Sequence, residues 1–424
     1  MIKTYDLNKI EKEEIFSREE EKIDVSSLVK EIIDNVKEKK DEALKFYAKK
    51  FDGVVLDNLK VTEEEFIEAE NLVEKEFIEV LKKAKENITA FHKKQLREGF
   101  KVEKDGVITG QRIIPIKKVG LYVPGGTAGY PSTVLMDAIP AIIAGCKEIV
   151  VTSPPKKDGK VNPYVLTAVR ILGLDNVYKV GGAQAIGALA YGTETVKAVD
   201  KIVGPGNVFV AEAKRQVFGK VNIDMIAGPS EILIVADKTA NPKFLASDML
   251  SQAEHDKNAS AVLITDDLSI AKSVEEELER QIPKLERSEI ARASIDKNGK
   301  IIIAKDIKGC IDLANEIAPE HLELCVNNAM DYLENIENAG SVFIGHYCPE
   351  AMGDYYAGTN HTLPTSGTAR FSSPLSVDDF IKKTQFISYT KDALKDVYKD
   401  VVLFANKEGL TAHAKSASIR FEED

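Results

Sequence analysis

The sequence lacks any uninterrupted apolar run near the ~18 residues that a membrane-spanning helix requires. It also lacks a basic excess, the formal net charge being -11. A broad nucleic-acid surface is therefore not expected, and neither nucleic acid nor membrane is an expected partner. The four cysteines, Cys146, Cys310, Cys325 and Cys348, form no CxxC pair, so neither a cysteine zinc site nor a redox dithiol is indicated. Buried, unreactive thiols are the plain reading. The opening stretch MIKTYDLNKIEKEEIFSREEEK is too charged for a signal peptide, which points to a cytoplasmic protein. Short internal repeats and low-complexity segments are absent. There are only six histidines, so each is worth placing.

What is present is an ordinary globular composition. The chain has 424 residues, 44% hydrophobic and 29% charged, enough for two or more domains. Residues 1–110 read as helical and highly charged. Phe66, Ala69, Leu72, Val73, Phe77, Val80, Leu81 and Ala84 recur at helical spacing, and Thr62 with Glu65 matches a capping box. His92 falls at the polar end of that run and reads as packed or solvated. From about residue 112, short β-branched runs alternate with glycine-rich turns and helical segments. Nine strands are predicted, at 117–123, 147–153, 176–180, 200–204, 231–237, 260–266, 300–305, 321–326 and 340–345. This is the pattern of parallel, buried sheets. Nine strands exceed one usual open sheet, so two α/β units are expected, the second inserted in the first. The joins fall near GLYVPGG and AGPSE. The last fifty residues, from SSPLSVDDF, read as a polar helical tail that packs on a core or on another subunit.

Three glycine-rich loops follow predicted strands: VPGGTAGYPS at 123–132, VGGAQAIGALAYG at 180–192 and VGPGNVFVAEAK at 203–214. Glycine lets a backbone approach a phosphate, and a helix amino terminus favours an anion. None is a strict G-x-G-x-x-G, since Phe209 stands where GPGNVF needs its third glycine. Turn punctuation explains any one loop, whereas three in consecutive crossovers point to a nucleotide. Gln184 and Asn207 are amides placed to hydrogen-bond there, and Tyr122 is placed to pack against a ring.

In NPKFLASDMLSQAEHD, Asn241 is a cap and Pro242 fits a first helical turn. Gln252 and His255 then lie three residues apart in the last turn. A polar helix end explains that pair as well as a metal does. Imidazole with amide or carboxylate oxygen is nonetheless a zinc donor set, and Asp354, His361 and His413 are candidates for its remainder. For proton transfer the candidates are Glu320 with His321, Ser230 with Glu231, and Glu408 with His413. Adjacent side chains diverge, so a solvated loop edge is the competing reading of Glu320 and His321. His346, in a loop before Tyr347, reads as structural.

Eight blocks in one order resemble those of the histidinol dehydrogenase family: GLYVPGG, VGGAQA, GPGN, IDMIAGPSEILIVAD, LSQAEHD, APEHLEL, GDYYAGTNHTLPT and EGLTAH. The resemblance runs from roughly residue 20 to the carboxyl terminus and is most specific from Ile223 to His255. It implies an α/β fold of two incomplete Rossmann-like parallel-sheet domains, the second inserted in the first, plus helical amino- and carboxyl-terminal extensions. The expected boundaries are 1–20 for the first extension, 21–118 with 232–373 for the first domain and 119–231 for the second. Residues 374–424 would be a helical tail crossing to the partner in a homodimer.

The same resemblance implies a zinc enzyme, with one Zn2+ per subunit, that uses NAD. It would oxidise L-histidinol to L-histidine through histidinaldehyde, in histidine biosynthesis. By that resemblance Gln252, His255, Asp354 and His413 hold the metal, and Glu320 and His321 are the catalytic pair. Tyr122, Gln184 and Asn207 contact NAD. Ser230, Gln252, His255, His321, Asp354, His361, Glu408 and His413 contact substrate, with Glu408 and His413 donated across the dimer. His321 would take the hydroxyl proton, and Glu320 would activate the water that adds to the aldehyde.

Four rival readings stay open. A thiohemiacetal route needs a reactive cysteine such as Cys146 or Cys325. A zinc hydrolase would use the same histidines and carboxylates but leave the glycine loops idle. A non-catalytic nucleotide-binding regulator would leave the Glu-His and Gln-x-x-His pairs idle. A related dehydrogenase of the same superfamily would act on another small amino alcohol or diol.

Overall fold

The computed structural model describes residues 2–9, 12–17, 24–125 and 129–422. Residues 126–128 of the first glycine loop, and part of the expected amino-terminal extension, lie outside them. In chain order the described strands begin with β1 (Lys3–Asp6), β2 (Phe100–Lys104), β3 (Val107–Pro115), β4 (Lys118–Tyr122) and β5 (Glu148–Ser153). Then come β6 (Val177–Lys179), β7 (Lys201–Val203), β8 (Asn222–Ile223), β9 (Glu231–Ala236) and β10 (Ser260–Thr265). The last four are β11 (Lys300–Ile303), β12 (His321–Cys325), β13 (Ser341–Ile344) and β14 (Ile381–Tyr389). All nine predicted strands form, as β4 to β7 and β9 to β13.

Two parallel sheets carry the architecture. One has six strands in the order β1-β11-β10-β9-β12-β13, the other five in the order β6-β5-β4-β7-β8. Every residue of β9, β10 and β12 is buried, as a strand covered on both faces must be. Alternate side chains feed opposite faces. Ile232, Ile234 and Ala236 join one apolar cluster, while Leu233 and Val235 join another. In the five-stranded sheet, β5 and β6 lie to one side of β4, with β7 and β8 on the other. The order therefore reverses between β4 and β7, and loops at such a reversal form a ligand-binding crevice. The glycine loops after β4 and β7 leave the sheet there.

The helix Ser26–Tyr47, which the sequence reading groups with residues 232–373, shares its core with the five-stranded sheet. Its Val29, Ile33 and Val36 lie in one cluster with Ile186, Leu189 and Ile202. The amphipathic stripe needs a partner, and its Ile33 and Val36 pack at Gly187 of the helix Gly182–Tyr191.

The chain divides into two compact units, Met1–Gln95 with Ile116–Phe380, and Leu96–Pro115 with Ile381–Asp424. The second unit holds a three-stranded antiparallel sheet in the order β14-β3-β2, followed by helices Lys391–Lys407 and Thr411–Ser418. Its strands differ from the helical reading of 1–110 and of the tail. The signal for the first hairpin is Asp105-Gly106, which forms a two-residue turn with φ of 46° and 78° between Lys104 and Val107. No helix among the described residues is long and apolar enough to cross a membrane.

Candidate active site

Glu320 and His321 enter β12 through a sharp turn. The helix Ile307–Ile317 stops at Ala318, which is left-handed at φ 54°, and Pro319 follows. Pairing of β12 with β9 sets His321 opposite Ile232, one residue past Glu231. The main chain of Glu231 then holds both side chains. Its N–H donates to Glu320 Oε2 at 2.9 Å, and its carbonyl accepts from His321 Nδ1 at 2.9 Å. Two diverging neighbours are thus fixed in one place. Because a carbonyl only accepts, Nδ1 carries the proton and Nε2 keeps the lone pair of the neutral ring. Nε2 is buried without a hydrogen-bond partner and faces Asp354 Oδ1 at 3.5 Å.

The electrostatics follow from burial among carboxylates. Burial pushes Glu320 up to about 8, against the opposing pull of His321. For His321, burial lowers the proton affinity. The charge of Glu320, the contact with Asp354 and the charge of Glu350 outweigh it and push the ring up to about 10. Asp354 lies on the short helix Ala351–Tyr355. Burial alone would raise its carboxyl. The imidazoles of His321, His361 and His255 outweigh burial and hold it below the usual range. His361 Nδ1 donates to the Asp354 carbonyl at 3.2 Å, so this histidine belongs to the same cluster.

The helix Pro242–Ala253 forms as its sequence predicts, with Asn241 capping the Lys243 N–H at 3.0 Å and Pro242 in the first turn. Gln252 is buried on its last turn. His255 stands two residues beyond the helix end, in a turn closed by its own N–H on the Gln252 carbonyl at 3.1 Å. Ser230 sits directly before β9, and its carbonyl accepts the Ser260 N–H at 3.0 Å. Glu408 and His413 belong to the second unit, where both are exposed.

Two buried carboxylates beside this cluster were not singled out from the sequence. Glu323 Oε1 accepts the Glu350 N–H at 2.9 Å, and burial together with the charge of Asp248 raises Glu323 well above its usual value. Glu350 is likewise raised by burial and by Asp354. Glu323 had a visible signal, a charge inside the apolar run HLELC. Glu350 had none, since its place depends on contacts distant in sequence.

Among the described residues, a group able to hold a metal joins His321, Glu350 and Asp354, whose ligand atoms lie within 4.8 Å of one another. Of the expected metal ligands only Asp354 is in that trio. Gln252 adds a buried side-chain amide, whose carbonyl oxygen is the atom able to ligate, and His321 Nε2 and Glu350 Oε2 are buried without a hydrogen-bond partner. Nitrogen, amide and carboxylate donors around unsatisfied polar atoms fit a divalent cation such as zinc.

The glycine loops form backbone cradles. Gly204 has φ 118°, and a Cβ there would lie 2.1 Å from the Tyr122 carbonyl oxygen. Cβ atoms on Gly125 and Gly181 would strike Pro154 at 2.4 and 2.5 Å. Tyr122 is buried, and its hydroxyl accepts the Gly182 N–H at 3.1 Å, which braces the second loop. Gln184 is buried on the helix Gly182–Tyr191. Asn207 caps the helix Val208–Val217, accepting from Phe209 and Val210 N–H at 3.1 and 3.2 Å. Close backbone at two of the reversal's loops fits a dinucleotide.

Other residues fall outside the cluster. His92 is fully buried against Gln95, and His346 meets Thr239. Burial pushes the Cys146 thiol up to about 11 and raises Cys325 as well. Burial thus disfavours, at both cysteines, the thiolate that the thiohemiacetal route needs.

A family model described as "Histidinol dehydrogenase" matches residues 16–421. A histidinol dehydrogenase of Bacillus cereus is 57% identical over 401 residues, covering 94% of this chain and 93% of that one. One from Streptococcus mutans is 52% identical over 405 residues, covering 95% and 94%. The crystal structure of histidinol dehydrogenase from Elizabethkingia anophelis superposes with a TM-score of 0.94 at 41% identity, covering 99% of this chain and 98% of that one.

Proposed function

The chain belongs to the histidinol dehydrogenase family, and we propose that it oxidises L-histidinol to L-histidine in two NAD-linked steps through histidinaldehyde. The observation that carries the proposal is the grip of the Glu231 main chain on Glu320 and His321. It fixes two acid–base groups at one place while pointing them in different directions.

Gln252, His255 and Asp354 would hold the zinc, with His413 supplied by a second copy of the chain. When bound, zinc would orient the imidazole and amine of the substrate, and NAD would accept one hydride in each oxidation. His321 Nε2 takes the hydroxyl proton as the carbinol C–H bond breaks. Its Nδ1–H stays on the Glu231 carbonyl, which keeps the accepting nitrogen turned inward. Of the carboxylates that raise His321, Asp354 is also a proposed zinc ligand, and a cation held there would offset its charge and weaken the ring's hold on a second proton. Glu320 removes a proton from the water that adds to the aldehyde. A carboxyl held at about 8 is matched to that task near neutral pH. As water adds, His321 returns its proton to the former aldehyde oxygen, and the neutral ring then takes the proton of a hydrate hydroxyl as the second hydride leaves. Tyr122, Gln184 and Asn207 would shape the nucleotide side.

The test separates the two oxidations. Glu320→Gln should slow histidinaldehyde oxidation by about 100-fold or more and leave alcohol oxidation less affected, while His321→Asn slows both. Equal losses of both steps in Glu320→Gln would contradict the division of roles.

A further inference from the structure

Three consecutive residues around His361 are each tied to one helix, Pro131–Ala144. Asn360 Nδ2 donates to the Met136 carbonyl at 2.7 Å. His361 Nε2 meets Thr133 Oγ1 at 3.4 Å. Thr362 Oγ1 donates to Asp137 Oδ1 at 3.1 Å. The Asn360 side chain also accepts the Thr362 N–H at 2.9 Å, closing the segment on itself. Thr133, Asp137, Asn360 and Thr362 are all buried, with exposures of 1%, 0%, 3% and 5%.

The helix is built to receive this segment. Pro140 lies inside it. A proline has no N–H, so the carbonyl four residues earlier loses its helical partner. That carbonyl belongs to Met136, and Asn360 supplies the missing donor. Thr133 and Asp137 are four residues apart, hence on one face. An interior proline and two buried polar residues would each weaken an isolated helix. Here all three features converge on residues 360–362. Nδ1 on the Asp354 carbonyl at 3.2 Å fixes the orientation of the His361 ring, and Thr133 Oγ1 borders Nε2 at 3.4 Å, a contact long enough to give way to a substrate group at that nitrogen.

We propose that Thr133, Asp137 and the Met136 carbonyl freed by Pro140 form a positioning element for His361, setting its imidazole beside Asp354 for the substrate. The inference rests on the reading of His361 as a substrate contact. The helix begins directly after the first glycine loop, so one rigid element serves both the nucleotide side and the substrate side.

The test is a double-mutant cycle on the whole enzyme, read as KM for L-histidinol and KM for NAD. Thr362→Val should raise KM for L-histidinol about tenfold with KM for NAD nearly unchanged, because misplacing a contact is enough to weaken it. Thr362→Ser, which keeps the hydroxyl, should stay near wild type. In a His361→Ala background, Thr362→Val should add nothing. Pro140→Ala, which returns the Met136 carbonyl to its helix, gives a second variant that keeps every site side chain, and it should raise KM in the same direction. An equal effect of Thr362→Val with and without His361, or no effect in either latch variant beside an effective His361→Ala, overturns the positioning role alone. No effect of His361→Ala itself overturns the substrate contact and the positioning role together.

Discussion

Glu320 titrates against the fold, and that has a sign that can be measured. Its carboxyl is raised from 4.5 to about 8, first by burial. The folded state thus favours the protonated acid. The contribution is fully present below the ordinary value and is lost as pH rises through about 8. Glu320→Gln removes this dependence. Thermal melts of wild type and variant should run together near pH 4.5, and above pH 8 the variant should melt higher. A wild type that holds its melting temperature as well as the variant above pH 8 would show that burial does not raise Glu320. Single residues were legible in proportion to their local chemistry. Gln252, His255, Glu320, His321, Asp354 and His361 stand out as types suited to metal or proton transfer, and five of the six are linked through the charge of Asp354 or the Glu231 main chain. Glu350 was not legible, because its importance comes from the Glu323 carboxylate 27 positions away.

At the scale of elements, the loop after β7 is limited by space. A side chain at Gly204 would meet the Tyr122 carbonyl at 2.1 Å with φ at 118°. Gly204→Ala should therefore destabilise the protein by about 2 kcal/mol or more and raise KM for NAD. Urea unfolding reads the first and initial rates the second; an unchanged urea midpoint would mean that the loop opens without strain. The buried strands were readable because continuous apolar runs between glycine turns have few other uses. The strands of the second unit were not. All five residues of β2 are exposed, so no apolar face marks it, and charged neighbours resemble those of the preceding helices. Asp105-Gly106 was the one strong local sign. The same polar character hid β14 in a segment read as helix.

For the molecule as a whole, the amino ends of β9 and β12 carry the acid–base pair, while the carboxyl ends of β4 and β7 carry glycine loops. Residues 360–362 join the two regions through the helix Pro131–Ala144. The sequence announced two parallel-sheet halves, yet their mutual placement depends on buried bonds between distant segments, which no periodicity reveals. The expectation that Glu408 and His413 serve a partner's site leads to a complementation experiment. Inactive His255→Asn and inactive His413→Asn chains, unfolded and refolded together, should recover about a quarter of wild-type activity, since half the dimers would each rebuild one complete site. Recovery of none would place His413 in its own chain's site. The central claim is a four-electron oxidation of one substrate at one centre, and the yield of NADH per L-histidinol consumed tests it most directly. Two NADH per L-histidinol, with the yield abolished by a chelator and restored by zinc, is the predicted result; one NADH with histidinaldehyde released, or no NADH at all, would contradict it.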